Sequence, residues 1–427
     1  MSTKIKHVHA RQVMDCKFRP VIEVDVELEN GIVGRGAAPT GSSVGSYEAV
    51  VLRDNDPSKF CGLSVFRAID NVNNILSPAL IGMDVMDQKA IDNKMIAMDG
   101  TPRKEKFGGN TIYSISIACA AAAAETQGTD IYHSIARRPL KTLPLPTANS
   151  IIGGRYPDKT VCYQEFTFCP YKAKDMTEAM EIIYHVHRAI GDVFSKAWGG
   201  IPTPIGNSHG WQPPTEDPAA IMQMLDEAVR SCGYQDKVAY ALDCAASEMY
   251  DETTKTYYLN GTTVDRDGQI AYVKKLTEQY PFLFVEDVLD ENDWEGYQIA
   301  TKELTRTLLI GDDLTVTNPA LLKRAHEESA VQGFIFKPNQ IGTLTETVEA
   351  VRAAQAAGWA AVLSHRSGET EGSTIADLAV ALGCTQIKAG APCRGERTAK
   401  YNRLLAIEQA LGGNARYAGR AAFTVLP

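Results

Sequence analysis

The first part of the chain has the alternating pattern of a strand hairpin. The stretch VIEVDVELENGIVGRGAAP alternates apolar and polar residues on both sides of Glu29-Asn30-Gly31, a sequence typical of a tight turn. From about Ser64 to His133 the apolar positions follow helical spacing, and the alanine-rich stretch TIYSISIACAAAAAETQG suits a closely packed helix. The pattern therefore predicts an N-terminal α+β domain, which we place at residues 1–138.

The pattern changes after RRPLKTLPLPTAN, which we interpret as a proline-broken connector. From Tyr163 onward, short apolar runs each end in a polar residue and are followed by a loop and a helical pattern. Such alternation over about 250 residues predicts a parallel sheet closed into a (β/α)8-type barrel at residues 139–427, in an α/β protein. A doubly wound open sheet is the alternative, although no GxGxxG follows the first strand. The runs are YQEFTF, VAYALD, FLFVED, TLLIGDD, GFIFKPN, AAVLSHRS and TQIKAG.

Composition and net charge exclude some classes of function. The 427 residues are 44% hydrophobic and 22% charged, as in ordinary globular proteins. A net charge of -9 argues against binding nucleic acid and favours a small-molecule partner. Because no apolar run has the length of a signal peptide or a membrane helix, we expect a cytoplasmic protein with no membrane partner. Nine cysteines without a CxxC pair predict reduced thiols.

Ionisable side chains follow the predicted strands, and in barrels of this type the chemistry lies at the carboxyl ends of the strands. Three acids, Asp243, Glu286 and Asp312, supply the hard oxygen ligands that suit Mg²⁺. The alternative is an ion-pair network with lysines that only stabilises the barrel mouth. The strand-end residues are Glu165, Asp243, Glu286, Asp312 with Asp313, Lys337, His365 with Arg366, and Lys388.

Two of these positions suggest specific chemistry. Lys337 ends the apolar run GFIFK, so we expect burial and nearby cations to lower its pKa and make it a general base. The alternative is a structural ammonium group paired with Asp312 or Asp313. The loop Ser364–Glu369, SHRSGE, combines an imidazole, a guanidinium and a hydroxyl that could grip a phosphate or carboxylate. Its alternative is a solvated loop.

The ordered motifs resemble the enolase (phosphopyruvate hydratase) family over essentially the whole chain. The resemblance rests on GSSVGSYEAVVLRD, QEF, ALDCAASE, VED, GDDLTVTN, KPNQIGTLTET, LSHRSGETEGSTIADLAVA and IKAGAPCRGERTAKYN. It implies an N-terminal α+β capping domain on a modified barrel that begins with two antiparallel strands. It also implies a homodimer or larger homo-oligomer.

The resemblance also implies roles for individual residues. Asp243, Glu286 and Asp312 match the ligands of one Mg²⁺, and Ser43 in a mobile loop matches a ligand that completes a second Mg²⁺ site with the substrate. Lys337 matches the base that removes the proton α to the substrate carboxylate, and Lys388 matches the lysine that contacts that carboxylate. Arg366 and Ser367 match the phosphate grip, His365 matches an active-site histidine, and Glu165 matches a retained acid.

The departures from the family concern the side of the site that serves the leaving group. The family has Gly-Asp-Glu-Gly-Gly where this chain has Gly206-Asn207-Ser208-His209-Gly210, so that Ser208 aligns with a catalytic glutamate. The neighbouring His209 could donate a proton instead. A serine and histidine in another family loop align with Arg155 and Tyr156.

We therefore expect a specialised member of the family. It would form an enolpyruvate product from 2-phosphoglycerate, or from an analogue bearing a phosphate or phosphonate, as carboxyphosphonoenolpyruvate synthase does in phosphinate natural-product biosynthesis. The altered side chains Arg155, Lys159 and His209 could admit an extra anionic group. One alternative is an ordinary phosphopyruvate hydratase in which His209 replaces the acid. Another is a non-catalytic, enolase-derived binding protein.

Overall fold

The computed structural model describes residues 2–41, 45–136 and 139–422. Its N-terminal part contains an antiparallel sheet in the order β1-β2-β3, with β1 at Ile5–Met14, β2 at Pro20–Leu28 and β3 at Val33–Ala37. The predicted hairpin is confirmed, since β2 and β3 pair across the Glu29-Asn30-Gly31 turn. The edge strand β1 was not part of the prediction.

The helices of this part pack on one face of the sheet. Glycines in β3 allow the approach, because an added Cβ would lie 2.2 Å from the carbonyl oxygen of Ala118 at Gly34 and 2.3 Å from that of Ser114 at Gly36. The predicted α+β architecture is therefore confirmed, with a buried small-residue helix against the sheet. The helices are α1 (Phe66–Asp70), α2 (Ser77–Leu80), α3 (Gln88–Asp99), α4 (Gly109–Thr126) and α5 (Ile131–Ala136), with a π-helical stretch at Asn71–Leu76.

The second part contains the barrel. The predicted boundary between residues 138 and 139 falls beside Arg137 and Arg138, which lie outside the described residues. The strands are β4 (Thr142–Leu143), β5 (Leu145–Arg155), β6 (Thr160–Cys169), β7 (Ala239–Asp243), β8 (Tyr250–Asp251), β9 (Thr256–Leu259), β10 (Thr262–Val264), β11 (Phe282–Glu286), β12 (Leu308–Gly311), β13 (Gly333–Phe336), β14 (Ala360–Ser364), β15 (Gln386–Gly390) and β16 (Arg416–Tyr417).

Of these strands, β11-β12-β13-β14-β15-β5-β6-β7 close into a barrel in that order. Strand β6 runs antiparallel to both β5 and β7, and the other neighbours in the barrel are parallel. This confirms the modified barrel and excludes the doubly wound alternative. The interpretation of RRPLKTLPLPTAN as a connector was wrong in its second half, because Leu145–Arg155 is a full barrel strand.

The helices of this part alternate with the strands after β6. Several begin at a side chain that accepts a hydrogen bond from the first turn, including Asp175, Asp217, Asp265, Asp293 and Thr343, which satisfies otherwise unpaired amides. The helices are α6 (Met176–Ala197), α7 (Pro218–Ser231), α8 (Arg266–Gln279), α9 (Trp294–Glu303), α10 (Pro319–Glu327), α11 (Pro338–Ile341), α12 (Leu344–Ala356), α13 (Thr374–Leu382) and α14 (Gly395–Leu411).

Two further features bear on the predictions. Within the described ranges, no helix combines the length and the apolar character that crossing a bilayer requires. All the cysteines fall inside those ranges and none is joined in a disulfide, which agrees with the expectation of reduced thiols.

Candidate active site

A narrow cavity at the barrel mouth collects most of the predicted site residues. It lies between the ends of the barrel strands, the loop at residues 206–210 and the segment that follows β3. Of the predicted residues, Glu165, Ser208, Asp243, Lys337, His365, Arg366, Ser367 and Lys388 line it, together with Gly41, Gln164 and Ser364.

Glu165 lies on a different kind of strand from the one that we predicted. The sequence interpretation placed it at the carboxyl end of a parallel strand, but it lies in the middle of β6, which is antiparallel to its neighbours in the barrel. The register pairs Glu165 with Asp243, the last residue of β7, and so brings both carboxylates to the same end of the barrel. Asn149 of β5 donates a short hydrogen bond to Glu165.

Lys388 lies at the centre of a buried group of acids. Its Nζ is 2.9 Å from Oε2 of Glu165, 2.8 Å from Oδ2 of Asp243 and 2.7 Å from Oε2 of Glu286. Burial lowers the pKa of Lys388, but the charges of Asp243, Glu165 and Glu286 outweigh burial and raise it well above its usual value. Lys388 is therefore an ammonium ion, and the ion-pair network that we considered as an alternative is present.

Lys337 forms a short ion pair with Asp312, which directly follows the neighbouring strand β12. Burial lowers its pKa, but the charge of Asp312 prevails and the net direction is upward. The expectation of a lowered pKa was therefore wrong for this structure, because the nearest carboxylate stabilises the ammonium form. Gln340 also holds Asp312, with its Nε2 donating to Oδ1 at 3.0 Å.

Glu286, Asp287 and Asp312 form a close group of acids, in which one carboxylate oxygen of each lies within 4.8 Å of the other two. All are buried, and Oε1 of Glu286 has no hydrogen-bond partner among the described residues. Burial and the charge of Asp243 raise the pKa of Glu286 well above its usual value. A buried oxygen without a donor, beside other hard oxygens, fits a divalent cation such as Mg²⁺.

Two residues of the predicted metal triad, Glu286 and Asp312, lie in this close group. Asp243 joins Glu286 through Lys388, whereas Asp287, which was not predicted, lies in the close group. The carboxylate oxygens of Asp287 accept hydrogen bonds from the backbone amides of Asp312 and Asp313, each at 2.9 Å. Asp287 therefore fixes the turn that carries Asp312. Ser43, the predicted ligand of a second Mg²⁺, lies outside the described residues.

The SHRSGE loop is buried, so the alternative of a solvated loop is wrong. Arg366 and Glu48 of the N-terminal part are each 3% exposed at their side chains and form a bidentate pair, with Nη1 to Oε2 at 2.8 Å and Nη2 to Oε1 at 3.1 Å. Burial lowers the pKa of His365 well below its usual value, which keeps the imidazole neutral. Arg397 donates to the carbonyl oxygens of Arg366 at 3.0 Å and Ser367 at 2.9 Å and so holds the loop in shape.

In the loop at residues 206–210, Ser208 and the predicted proton donor His209 lie in different surroundings. Ser208 lines the cavity, whereas His209 does not. His209 has a left-handed backbone (φ +75°) and is buried, and its Nε2 lies 3.9 Å from Sγ of Cys16. Burial and the charges of Arg394 and Arg397 lower its pKa to about 4.

Arg155 and Tyr156 also lie away from the cavity. Arg155 lines a different opening with Glu248 and Tyr250. The hydroxyl of Tyr156 donates to the carbonyl oxygen of Ile152 at 2.5 Å, and burial raises its pKa. Neither residue lines the cavity, and their contact with substrate stays a prediction.

Several residues around the cavity escaped the sequence reasoning. They are polar side chains, and they act by holding a predicted residue in place. Asn149 lay in the stretch interpreted as a connector, and Asp287 directly follows a predicted ligand, which was the available signal. The missed residues are Glu48, Asn149, Asp287 and Gln340.

Comparison with protein families gives two matches. The family model described as "Enolase, N-terminal domain" matches residues 5–135. The model described as "Enolase, C-terminal TIM barrel domain" matches residues 140–426. Together the two matches cover nearly all of the chain, in the order in which the structure places the α+β part and the barrel.

Proposed function

Because the chain belongs to the enolase family of Mg²⁺-dependent lyases, we propose that it removes the proton α to the carboxylate of a small acid bearing a phosphate or phosphonate. The observation that carries this proposal is the convergence of Lys337, Lys388 and Arg366 on one cavity beside buried carboxylates. Two ammonium groups and a guanidinium in so small a space suit a substrate with two anionic ends.

Each cation has a separate task in this proposal. Lys388 would contact the substrate carboxylate, and Arg366 with Ser367 would bind the phosphate or phosphonate. Lys337 would accept the proton on Nζ, and the electron pair of the broken C–H bond would become the enolate. When bound at the buried carboxylates, Mg²⁺ supplies positive charge that stabilises the enolate and weakens the hold of Asp312 on the Lys337 ammonium.

The loop at residues 206–210 supports a specialised substrate. Ser208 lines the cavity where the resemblance places a glutamate, and a hydroxyl has no proton-donating pKa near neutrality. His209 lies toward Cys16, so it is poorly placed to replace the acid. We therefore favour an enolpyruvate-forming enzyme similar to carboxyphosphonoenolpyruvate synthase over an ordinary phosphopyruvate hydratase. As the resemblance implies, we also propose a homodimer or larger homo-oligomer in the cytoplasm.

The test follows hydrogen exchange and dehydration in the same sample. The protein is incubated with Mg²⁺ and 2-phosphoglycerate in D₂O, with NMR reporting exchange at C2 and ultraviolet absorbance reporting phosphoenolpyruvate. We expect exchange with little product. Lys337→Met should abolish exchange, while the exposed control Lys323→Met should retain it. Absence of exchange with every phosphorylated hydroxy acid tried would contradict the base assignment and favour a binding protein.

A gain of function tests the missing acid. Ser208→Glu restores a carboxyl group at the cavity wall, and we expect it to increase phosphoenolpyruvate formation. General acid catalysis contributes about 10²–10⁴-fold in enzymes, so even a partial gain is measurable. Rapid dehydration by the unmodified protein would instead show an ordinary hydratase.

A further inference from the structure

Three separate segments of the chain meet behind the wall of the cavity. Cys16 follows β1, His209 lies in the loop at residues 206–210, and Glu396 lies in the first turn of α14. One potential ligand atom from each, a thiol sulfur, an imidazole nitrogen and a carboxylate oxygen, lies within 4.8 Å of the other two. The cluster is distinct from the acids at the barrel mouth, and it includes no hard-oxygen group other than Glu396.

We propose that Cys16, His209 and Glu396 bind a borderline-soft divalent cation, with Zn²⁺ the best fit. Cysteine and histidine are the ligands that select zinc over magnesium. With Zn–S of about 2.3 Å and Zn–N of about 2.0 Å, a tetrahedral ion separates sulfur and nitrogen by about 3.5 Å. The observed separation of Cys16 Sγ and His209 Nε2 is 3.9 Å, about 0.4 Å longer than this value.

A second observation points to a cation at this place. Glu396 is only 8% exposed, and its Oε1 is buried without a hydrogen-bond donor among the described residues. Its ion-pair neighbour, Nε of Arg397, lies 3.5 Å away, outside good hydrogen-bond distance. Leaving a buried carboxylate oxygen without a donor is unfavourable, and a bound cation removes that cost.

Metal binding requires His209 to be neutral and Cys16 to lose its proton. His209 is a neutral imidazole near pH 7, because burial and nearby cations lower its pKa to about 4. Burial raises the pKa of Cys16, so its thiol is protonated and donates to the carbonyl oxygen of Ser367 at 3.5 Å. Metal binding must therefore release one proton from Cys16.

The charges around the cluster set the kind of ion. Lys17, Arg394 and Arg397 oppose a cation, and Asp15 favours one. The thiolate and the carboxylate together cancel the two charges of the metal ion, and because Cys16 releases a proton, binding raises the net charge of the site by one unit and not by two. A harder ion that leaves the thiol protonated keeps an uncompensated positive charge and binds less well.

The site is independent of the proposed chemistry but lies beside it. His209 directly follows Ser208, which lines the cavity, and its carbonyl oxygen accepts a hydrogen bond from Sγ of Cys393 at 3.1 Å. An ion on the His209 ring would join the 206–210 loop to α14 and to the segment after β1. Its expected effect is to fix the position of Ser208 at the cavity wall.

Cobalt spectroscopy tests the site without reference to activity. Chelator-treated protein is placed in excess Mg²⁺, and Co²⁺ is added. A thiolate ligand gives a thiolate-to-cobalt charge-transfer band in the near ultraviolet, which oxygen ligands do not give. We expect the band in the wild type and its displacement by Zn²⁺.

Variants assign the ligands. We expect Cys16→Ser and His209→Asn to abolish the band, and Glu396→Gln to lower Zn²⁺ affinity more than tenfold. Asparagine is chosen because it tolerates the left-handed backbone at position 209. The exposed thiol variant Cys61→Ser is the control and should keep the band. Thermal melts verify folding. Absence of the band in the wild type, or its survival in Cys16→Ser, would overturn the proposal.

Discussion

The buried ammonium of Lys388 allows a sharp prediction about stability. Its Nζ lies within 2.9 Å of carboxylate oxygens of Glu165, Asp243 and Glu286, and all four side chains are less than 10% exposed. Lys388→Met keeps an unbranched chain of similar length, so it removes the charge and leaves almost no cavity. The three acids are then left together without their shared cation.

Two arguments give the same magnitude. Removing one partner of a buried ion pair costs about 3–5 kcal/mol in the free energy of unfolding. Alternatively, the variant avoids the unpaired charge by binding a proton. For a carboxyl group with an ordinary pKa of about 4, this costs about 1.4 kcal/mol per pH unit, or about 5 kcal/mol at pH 7.5. The second figure is an upper bound, because burial already raises the pKa of Glu286.

The assay is a thermal melt of the apo protein at several pH values. With an unfolding entropy of about 2.1 cal/mol/K per residue, a loss of about 3–5 kcal/mol lowers the Tm by about 3–6 °C. Acidification to pH 5.5 should reduce the difference in Tm between Lys388→Met and the wild type, because the acids then bind protons more easily. Added Mg²⁺ should reduce this difference too, since the cation replaces the missing charge.

The matched control is Lys274→Met. Its partner Glu303 lies 2.7 Å away, but the two side chains are 39% and 50% exposed, so the loss should stay below about 1 kcal/mol. A Lys388→Met protein as stable as this control at pH 7.5 would refute the reasoning. A difference in Tm from the wild type that grows as the pH falls would refute it as well.

Two further predictions use other buried groups. Burial lowers the pKa of His187 to about 4, so the unfolded chain binds the proton more tightly and stability should fall between about pH 6.5 and pH 4. His187→Gln should reduce this slope by up to about 1.4 kcal/mol per pH unit in urea unfolding, with His185→Gln on the exposed side of α6 as the control. Glu48→Gln leaves the buried Arg366 without its carboxylate and should cost about 3–5 kcal/mol in the same assay. The control is Glu349→Gln. Its pair with Lys89 also joins the N-terminal part to the barrel, but both side chains are more than half exposed, so the loss should stay below about 1 kcal/mol. Equal losses in the two variants would contradict the argument.

The barrel was predictable where strands have a strong local signal. The apolar runs before Asp243, Glu286 and Lys337 are buried on all sides, and such strands stand out without knowledge of their neighbours. Strand β5 was missed because Pro144 and Pro146 resemble a connector. It is specified instead by its partners, since it pairs with β15 and β6, and β15 lies more than 200 residues away in the sequence.

The site was predictable in its residue types but less so in its pairings. Sequence order identified Lys337, Lys388 and the acids, but it left open whether Lys337 is a base or an ammonium group paired with Asp312 or Asp313. The contact with Asp312 reverses the expected direction of the pKa shift of Lys337. Local sequence also could not reveal Glu48, because its partner Arg366 is 318 residues away.

The loop at residues 206–210 shows how a one-residue offset changes the chemistry. Ser208 and His209 are adjacent in sequence, and sequence alone allowed either to face the substrate. The left-handed backbone of His209 turns the chain between them, so that Ser208 lines the cavity and the imidazole lies near Cys16 and Glu396. A non-glycine residue in this conformation is held by its surroundings. Here backbone hydrogen bonds close the turn, from His209 N to Gly206 O at 3.0 Å and from Gly206 N to Gly210 O at 2.7 Å, and the imidazole that the turn directs toward Cys16 and Glu396 is the proposed zinc ligand.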